Sequence, residues 1–294
     1  MSVGLLEIER LVSGPARRRI GRVTAWGRLV EIVDSVPSTN DLAWARAGDP
    51  RRDGSVVLAE QQTAGRGRRG RSWESPRGAS LLCSVLLLPR QHTAASPAEV
   101  SGGRRHSGPL LALLAAVACC DAIFEATSVS VEIKWPNDLL AGGRKLGGIL
   151  VESRPWPSDR GSGARGPDLG NAHVVGIGIN CLQHRGHFPP DLRERATSLD
   201  LQSAGPIDRG ALAVALLRHL DRCFADESIW TAEEVRQEWL RHAVPLGSRV
   251  MLEHGGRRYT GHVIDVDPTA ALVVQLDRGG RRLFDAANTT ILND

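Results

Sequence analysis

Apolar and polar positions alternate over residues 28–36, the period of a strand with one buried face. Ser38-Thr39-Asn40-Asp41 follows and leads into Leu42, Ala43, Trp44 and Ala45. Ser38 with an acid three residues on is spaced like a capping box, so a helix is expected to start there, with Gly48 as its C-cap. Residues 56–62 read as a strand that runs into a glycine–arginine loop, and residues 79–89 as a buried strand. Pro109 suits the first turn of a helix. That helix is expected to run to about Ala126, with Leu110, Leu113, Leu114, Val117 and Phe124 near helical spacing. Residues 129–135 form the next strand, stopped by Pro136 and the turn residues Asn137 and Asp138. A Gly142-Gly143 hairpin turn joins it to a strand over 145–153, and a third covers 173–181. Helices are expected at Arg209–Phe224 and over 231–243.

Between these elements the pattern lapses. Residues 1–30 are irregular and weakly helical, with Arg17, Arg18 and Arg19 as a solvated charge run. Residues 91–108 are rich in Ser, Gly and Ala and read as a mobile loop, and residues 154–171 as a Pro/Gly-rich insertion. After Pro245 the pattern shifts to short β runs at Arg249–His254 and over 257–265, 271–277 and 282–285, with Gly turns, as in a small barrel. There is no internal repeat. The division predicted is a large α+β domain over 1–244 and a small C-terminal β-barrel domain over 245–294.

Composition narrows the class. The chain has 294 residues and a mass of 31.7 kDa, with 41% hydrophobic and 24% charged residues, ordinary values for a soluble globular protein. The longest uninterrupted apolar stretch, residues 110–120, is shorter than the ~20 residues a bilayer requires. Glu7 and Glu9 stand where a secretory signal would need an apolar run. Cys83, Cys119, Cys120, Cys181 and Cys223 form no C-x-x-C pair and sit among apolar neighbours. They read as reduced, buried thiols of a cytoplasmic protein, without zinc-site spacing.

Charge is unevenly placed. Between Gly65 and Gly78, Arg66, Arg68, Arg69, Arg71 and Arg77 stand against Glu74 alone, a local excess equal to the +4 of the whole chain. A second bias is sharper. Of 37 basic residues only Lys134 and Lys145 are lysine. Such a chain has exchanged lysine for arginine almost everywhere. A compact ammonium resists that exchange where space is tight, because the guanidinium is wide and planar.

Three constellations carry candidate chemistry. Gly65-Arg66-Gly67-Arg68-Arg69-Gly70-Arg71, followed by Ser72 and Trp73, combines exposed backbone N–H groups with planar donors for phosphate or carboxylate. Nucleic acid is the rival ligand for such a loop, and a solvated surface turn the bland alternative. The second is Lys134-Trp135-Pro136-Asn137-Asp138. Strand parity sets Glu132 and Lys134 opposite Val131, Ile133 and Trp135, so Lys134 either serves an anion or snorkels to solvent. The third is Gly176-Ile177-Gly178-Ile179-Asn180. Gly176, Gly178 and Asn180 share a face stripped of bulky side chains, which admits a flat ligand or a packed helix.

Taken in order, these three motifs, with Arg144-Lys145-Leu146-Gly147-Gly148-Ile149-Leu150, Ser38-Thr39-Asn40 and Ala196-Thr197-Ser198-Leu199, resemble the biotin–protein ligase family. The resemblance runs from about Arg28 to the C-terminus. It implies a mixed β-sheet flanked by helices, of the class II synthetase-like biotin–lipoate ligase fold, with a small SH3-like barrel behind it. It also implies a two-step reaction. ATP and biotin, with Mg2+, give biotinyl-5′-AMP, and biotin then passes to a lysine of a biotin carboxyl carrier protein domain of an acyl-CoA carboxylase. The resemblance implies that Ser38, Thr39, Asn40, Gln62, Gly147 and Gly148 bind biotin, with Gln61 as the rival for Gln62. Arg66 and Arg68 would hold carboxylate and phosphate, Arg71 the outgoing phosphates, Lys134 the carboxylate and α-phosphate together, with Trp73 packing on the ligand and Asn180 facing adenine. Lys134 and Arg68 are the catalytic candidates, and no residue is expected to ligate a metal. About 27 residues precede the first matched strand, too few for a winged-helix repressor domain, so no operator binding is expected, nor any nucleic-acid or membrane partner. The runner-up is a lipoate–protein ligase of the same fold. A nucleic-acid-binding module using the Gly/Arg loop is the alternative from another class.

Overall fold

The computed structural model describes residues 19–22, 29–89, 107–156, 170–224, 230–244, 246–267 and 271–292. Arg17 and Arg18 and most of the two loops expected around 91–108 and 154–171 lie outside these. An eight-stranded sheet carries the larger part of the chain. Its strands are β1 (Arg19–Arg22), β2 (Leu29–Val36), β3 (Val56–Gln62), β4 (Ser80–Leu87), β5 (Glu132–Lys134), β6 (Asp138–Ala141), β7 (Arg144–Pro155) and β8 (Asn171–Asn180). Their spatial order is β1-β2-β3-β4-β8-β7-β6-β5. The pair β2–β3 is parallel, and every other neighbouring pair is antiparallel. The sheet is therefore mixed, as expected. The parallel pair needs a crossover, and the short helix α1 (Thr39–Trp44) lies within it.

The sheet buries both faces. On one, Val30, Ile32, Val56, Leu58, Cys83, Val85, Val175, Ile177 and Ile179 pack against helix α2 (Gly108–Thr127). Helices α3 (Arg209–Phe224) and α4 (Ala232–His242) complete this layer. Leu111, Leu113 and Leu114 of α2 are each exposed by 1% or less, so truncating one to Ala should cost about 2–5 kcal/mol. Helix α2 carries no charge from Pro109 to Cys120 and is buried over most of that length, the pattern of a core helix. It corrects the bilayer reading of the sequence: α2 is long and apolar enough to cross a membrane, and 67% of its most apolar window lies inside the fold. On the sheet's other face, Val57, Leu86, Leu88, Ala172 and Val174 pack with Ala43 of α1.

The second sheet is five-stranded and antiparallel, in the order β12-β11-β10-β9-β13, from β9 (Arg249–His254), β10 (Arg257–Val266), β11 (Leu272–Leu276), β12 (Arg281–Phe284) and β13 (Thr289–Leu292). Leu252, Val266, Leu272, Val274 and Phe284 form its inner side and continue the main core. Arg236 of α4 pairs with Asp265 of β10 at 3.0 Å.

Several local expectations are corrected. Asp138 does not end a turn but opens β6, so Gly142 and Gly143 join β6 to β7 rather than β5 to β7. Helix α1 closes at Ala45, short of Gly48. Phe124 is 58% exposed, so it stands outside the core that the sequence pattern assigned it to. The strands β1 and β13 carry no clear period in four residues and exist by virtue of their partners β2 and β9. All five cysteines are free and buried, and burial pushes the thiols of Cys83, Cys181 and Cys223 up to about 12.

Candidate active site

A cleft of about 1720 Å3 opens on the α1 face of the large sheet. Strand parity puts Gly176, Gly178 and Asn180 of β8 on its floor, with Val175, Ile177 and Ile179 in the core behind. The glycines are needed there. A Cβ on Gly176 would stand 2.3 Å from Asn40 Oδ1. Gly147 is the one expected site residue that does not line the cleft. Its Cβ would meet the Gly178 carbonyl at 2.7 Å, so its bareness serves the approach of β7 to β8. Gly148, beside it, does line the cleft.

Ser38, Thr39 and Asn40 enter from the start of α1, each 2–4% exposed. Ser38 holds the N-cap position, yet its hydroxyl makes no capping bond. Gln62, rather than Gln61, reaches the cleft. Its Oε1 accepts from the Thr39 N–H at 2.7 Å and from the Thr39 hydroxyl at 3.0 Å. Ser84 of β4 donates to Asn40 Oδ1 at 2.6 Å and lies 2.7 Å from Thr39 Oγ1. The sequence reading missed Ser84. Its signal was a lone hydroxyl within the apolar run Leu81-Leu82-Cys83-Ser84-Val85-Leu86-Leu87.

The glycine–arginine loop is a closed hairpin. Arg66 and Ser72 form an isolated bridge, Gly67 N–H donates to the Arg71 carbonyl at 2.7 Å, and Trp73 N–H donates to the Gly65 carbonyl at 2.9 Å. Arg69 takes a positive φ of 57° at its tip. Arg66 is matched by two carboxylates, Asp41 in a two-pronged pair at 2.7 and 2.8 Å and Glu152 at 3.0 Å. Arg68 is half-buried. It donates to Asn137 Oδ1 at 3.2 Å and to the carbonyl of Ala286 on the second sheet's β12–β13 turn, and Arg69 reaches Ala287 of the same turn at 3.3 Å. Burial weakens the hold of Arg68 on its proton, and the charges of Arg69 and Arg71 add to this. Arg71 stands exposed on the cleft wall.

Lys134, at the end of β5, is half-buried. Burial draws its ammonium below the ordinary lysine value, Asp138 opposes that, and Arg195 and Lys145 add to it. Asn137 fixes the turn that follows by donating to the Ile149 carbonyl at 2.6 Å. At the floor, Asn180 Nδ2 donates to the Thr197 carbonyl at 3.0 Å, so its Oδ1 faces Gln183, which donates to it at 3.0 Å. Gln183 is a further lining residue that sequence reasoning missed.

Three side-chain atoms of lining residues are buried without a partner among the described residues: Asn40 Nδ2, Trp73 Nε1 and Gln183 Oε1. Orphaned polar groups are costly and rare in folded proteins. Two donors and an acceptor around one cleft fit a polar organic ligand. Among the described residues no group of three or more His, Cys, Asp or Glu could hold a metal.

Residues 32–161 match the biotin/lipoate A/B protein ligase family. A biotin–[acetyl-CoA-carboxylase] ligase of Mycobacterium tuberculosis is 33% identical over 281 residues, covering 92% of this chain and 91% of that protein. The enzyme of the same description from Paracoccus denitrificans is 31% identical over 240 residues, 79% of this chain and 88% of that one. In fold the chain is similar to the biotin protein ligase from Aquifex aeolicus in complex with biotin and ATP, with a TM-score of 0.68 and 23% identity over 90% of this chain and 99% of that one. Identity of this order along nearly the whole of both the mycobacterial enzyme and this protein, on a shared fold, means that the chain belongs to the biotin–protein ligase family.

Proposed function

We propose that this ligase activates biotin with ATP and transfers it to a lysine of a biotin carboxyl carrier protein domain of an acyl-CoA carboxylase. In the first step a biotin carboxylate oxygen bonds to the α-phosphorus, the bond from that phosphorus to the bridging oxygen breaks, and pyrophosphate leaves. In the second, the carrier lysine's neutral amine bonds to the biotinyl carbonyl carbon, AMP leaves with the electron pair of the broken C–O bond, and the nitrogen gives up one proton to solvent. The single observation that supports this reading is that Ser38, Thr39, Asn40, Gln62, Arg66, Arg68, Arg71, Trp73, Lys134, Gly148 and Asn180, drawn from five separate stretches of sequence, all line one cleft.

Each step sets a physical requirement. Two anions meet in the first, so positive charge must be in place beforehand. Lys134 and Arg68, both half-buried, are the groups for this, with Arg71 toward the departing pyrophosphate. Arg66 contributes less than its motif suggests, since Asp41 and Glu152 already match its charge. The Ser38-Thr39-Asn40 corner with Gln62 offers mixed donors and acceptors for the ureido ring of biotin, and Trp73 and Asn180 border the adenine side. Mg2+ would arrive on the ATP phosphates. The mixed anhydride must be kept from water until the carrier docks, and the hairpin pinned to Ala286 and Ala287 is suited to cover it. In this reading residues 1–244 form the catalytic domain and 245–294 a small barrel domain that braces the hairpin. The enzyme works in the cytoplasm, where its carrier and ATP are found.

Biotin-dependent exchange of pyrophosphate into ATP by the purified protein tests the first step. Exchange with biotin and none with lipoic acid is the expected result. Exchange with lipoic acid alone would replace the reading with that of a lipoate ligase, and exchange with neither acid would remove it.

A further inference from the structure

The Ala196-Thr197-Ser198-Leu199 motif is bonded to the end of β8 and to the residues just beyond it. Leu199 N–H donates to the Asn180 carbonyl at 3.0 Å, and Asp200 N–H to the Cys181 carbonyl at 2.8 Å. The Ser198 hydroxyl donates to the Gln183 carbonyl at 2.6 Å, and Asn180 Nδ2 to the Thr197 carbonyl at 3.0 Å. Asn180, Gln183, Thr197 and Ser198 are each exposed by 6% or less. These bonds decide which way the Asn180 amide faces. A main-chain carbonyl can only accept, so the amide must turn Nδ2 toward Thr197. That carbonyl is itself held in place, since Thr197 N–H donates to the Lys145 carbonyl at 2.8 Å. Asn180 Oδ1 is thereby turned to Gln183, whose Nε2 donates to it at 3.0 Å and to Ser80 Oγ at 2.6 Å. An amide has two hydrogens on nitrogen and two acceptor sites on oxygen. By that count one of each is left to Asn180 on the cleft floor.

We propose that Gln183 is a positioning residue for Asn180 and that, with the Thr197 carbonyl, it sets which purine the ligase accepts. It holds the Asn180 amide in the orientation that pairs with a 6-amino group and opposes a 6-oxo group. The proposal rests on reading Asn180 as the residue that meets the base of the nucleotide. Adenine presents an amino donor beside a ring-nitrogen acceptor, the complement of an amide's oxygen and N–H. A 6-oxopurine presents an oxygen in place of that amino group, which would meet Asn180 Oδ1 acceptor against acceptor. An amide turned over would reverse the preference. Turning it over here costs two bonds, because Oδ1 would face the Thr197 carbonyl and Nδ2 would face Gln183 Nε2. Gln183 is 1% exposed, so water is not at hand to replace a lost partner. The arrangement also gives the 196–199 motif a place in the site, since it supplies both the Thr197 carbonyl and the Ser198 hydroxyl.

ITP carries an oxo group where ATP carries the 6-amino group, so the pair probes this contact. Biotin-dependent pyrophosphate exchange is measured with each nucleotide in the wild-type protein, Gln183→Met and Ser198→Ala. The readout is the ratio of kcat/KM for ATP over that for ITP on one sample, which does not depend on how much of the protein is folded. The wild-type protein should favour ATP by roughly tenfold or more. Gln183→Met leaves the Asn180 amide tied at Thr197 alone, and the ratio should narrow by roughly threefold to tenfold. Ser198→Ala frees only the main chain of Gln183 and is the milder change should methionine unsettle the fold; it should narrow the ratio by roughly twofold. A role confined to packing would lower the use of both nucleotides equally and leave the ratio unchanged. That result in Gln183→Met, or in Ser198→Ala if Gln183→Met does not fold, overturns the proposal, as does a wild-type protein that uses ATP and ITP equally. Absence of exchange in the wild-type protein would overturn the adenylation reading instead. Equilibrium binding of ATP and ITP in the presence of biotin would then decide the proposal by the same ratio.

Discussion

The indole of Trp73 occupies the space that a side chain at residue 178 would need. A Cβ on Gly178 would stand 2.8 Å from Trp73 Cε2 and 2.9 Å from Cζ2. The ring lies against a strand backbone, and nothing larger than hydrogen fits between them. Gly178→Ala should therefore push the indole into the cleft. The apparent KM for ATP should rise several-fold, with little loss of thermal stability, since the ring moves toward open space. Exchange kinetics and a melting curve on the same sample check this. An unchanged KM would mean that the ring does not border the nucleotide.

Lys134→Arg keeps the charge and loses the compact ammonium. One electrostatic contact at a transition state carries ~3 kcal/mol, so exchange should fall about a hundredfold while biotin binding changes much less. The pH profile supplies an independent check. Burial lowers the hold of Lys134 on its proton, and its role needs the charged form. Wild-type kcat should thus decline as pH rises, at a value below the ordinary lysine range near ~10.4. In Lys134→Arg that alkaline decline should vanish from whatever activity remains. A decline of the same midpoint in both proteins would assign it to another group.

Arg68 joins the hairpin to Asn137 and to the Ala286 carbonyl. Arg68→Gly removes both ties and a cation from the cleft. Adenylate should still form but escape early, so that an added lysine-rich bystander protein becomes biotinylated without a carrier motif. Mass spectrometry of the mixed reaction reads the outcome. The ligase itself should label poorly, since it offers two lysines and one of them is half-buried. A bystander left unlabelled while adenylate is made would show that Arg68 does not retain the intermediate.

The hydrogen bonds from Arg66 hold the Asp41 carboxyl below the usual aspartate range. A depressed carboxylate pKa stabilises the fold above the unfolded-state value, and the gain is lost as pH falls through the folded-state value. Asp41→Asn should accordingly melt below the wild-type protein at neutral pH, and the difference should close as pH falls below the ordinary aspartate range and through the lowered folded-state value. Both side chains are more than a third exposed, so solvent screening limits the effect to about 1 kcal/mol or less. Salt should shrink it further, which melting curves at two ionic strengths would reveal.

Much of the site could be read from the sequence because its information is local. A pleated strand alternates its faces, so Gly176, Gly178 and Asn180 had to lie together once residues 173–181 were read as a strand. The same period separated Lys134 from Ile133 and Trp135. Chemistry was legible where it clusters along the chain, in the arginines from 66 to 71 and in the triplet at 38–40. The lysine bias marked Lys134 and Lys145 without saying where the second would point. That depended on a one-residue bulge between β6 and β7, which no two-residue period reveals. Ser84 was hidden because one hydroxyl in an apolar stretch gains meaning only from its partners Thr39 and Asn40, and Gln183 because a lone amide between Leu182 and His184 gains it only from Ser80 and Asn180. The corner formed by Asp41, Arg66 and Glu152 joins three distant stretches, and Arg68 meets a carbonyl 218 residues away. Such contacts follow from how the two sheets and the hairpin pack together. Periodicity records which side of an element is buried, whereas the identity of the neighbour on that side is set by the three-dimensional fit of the whole chain.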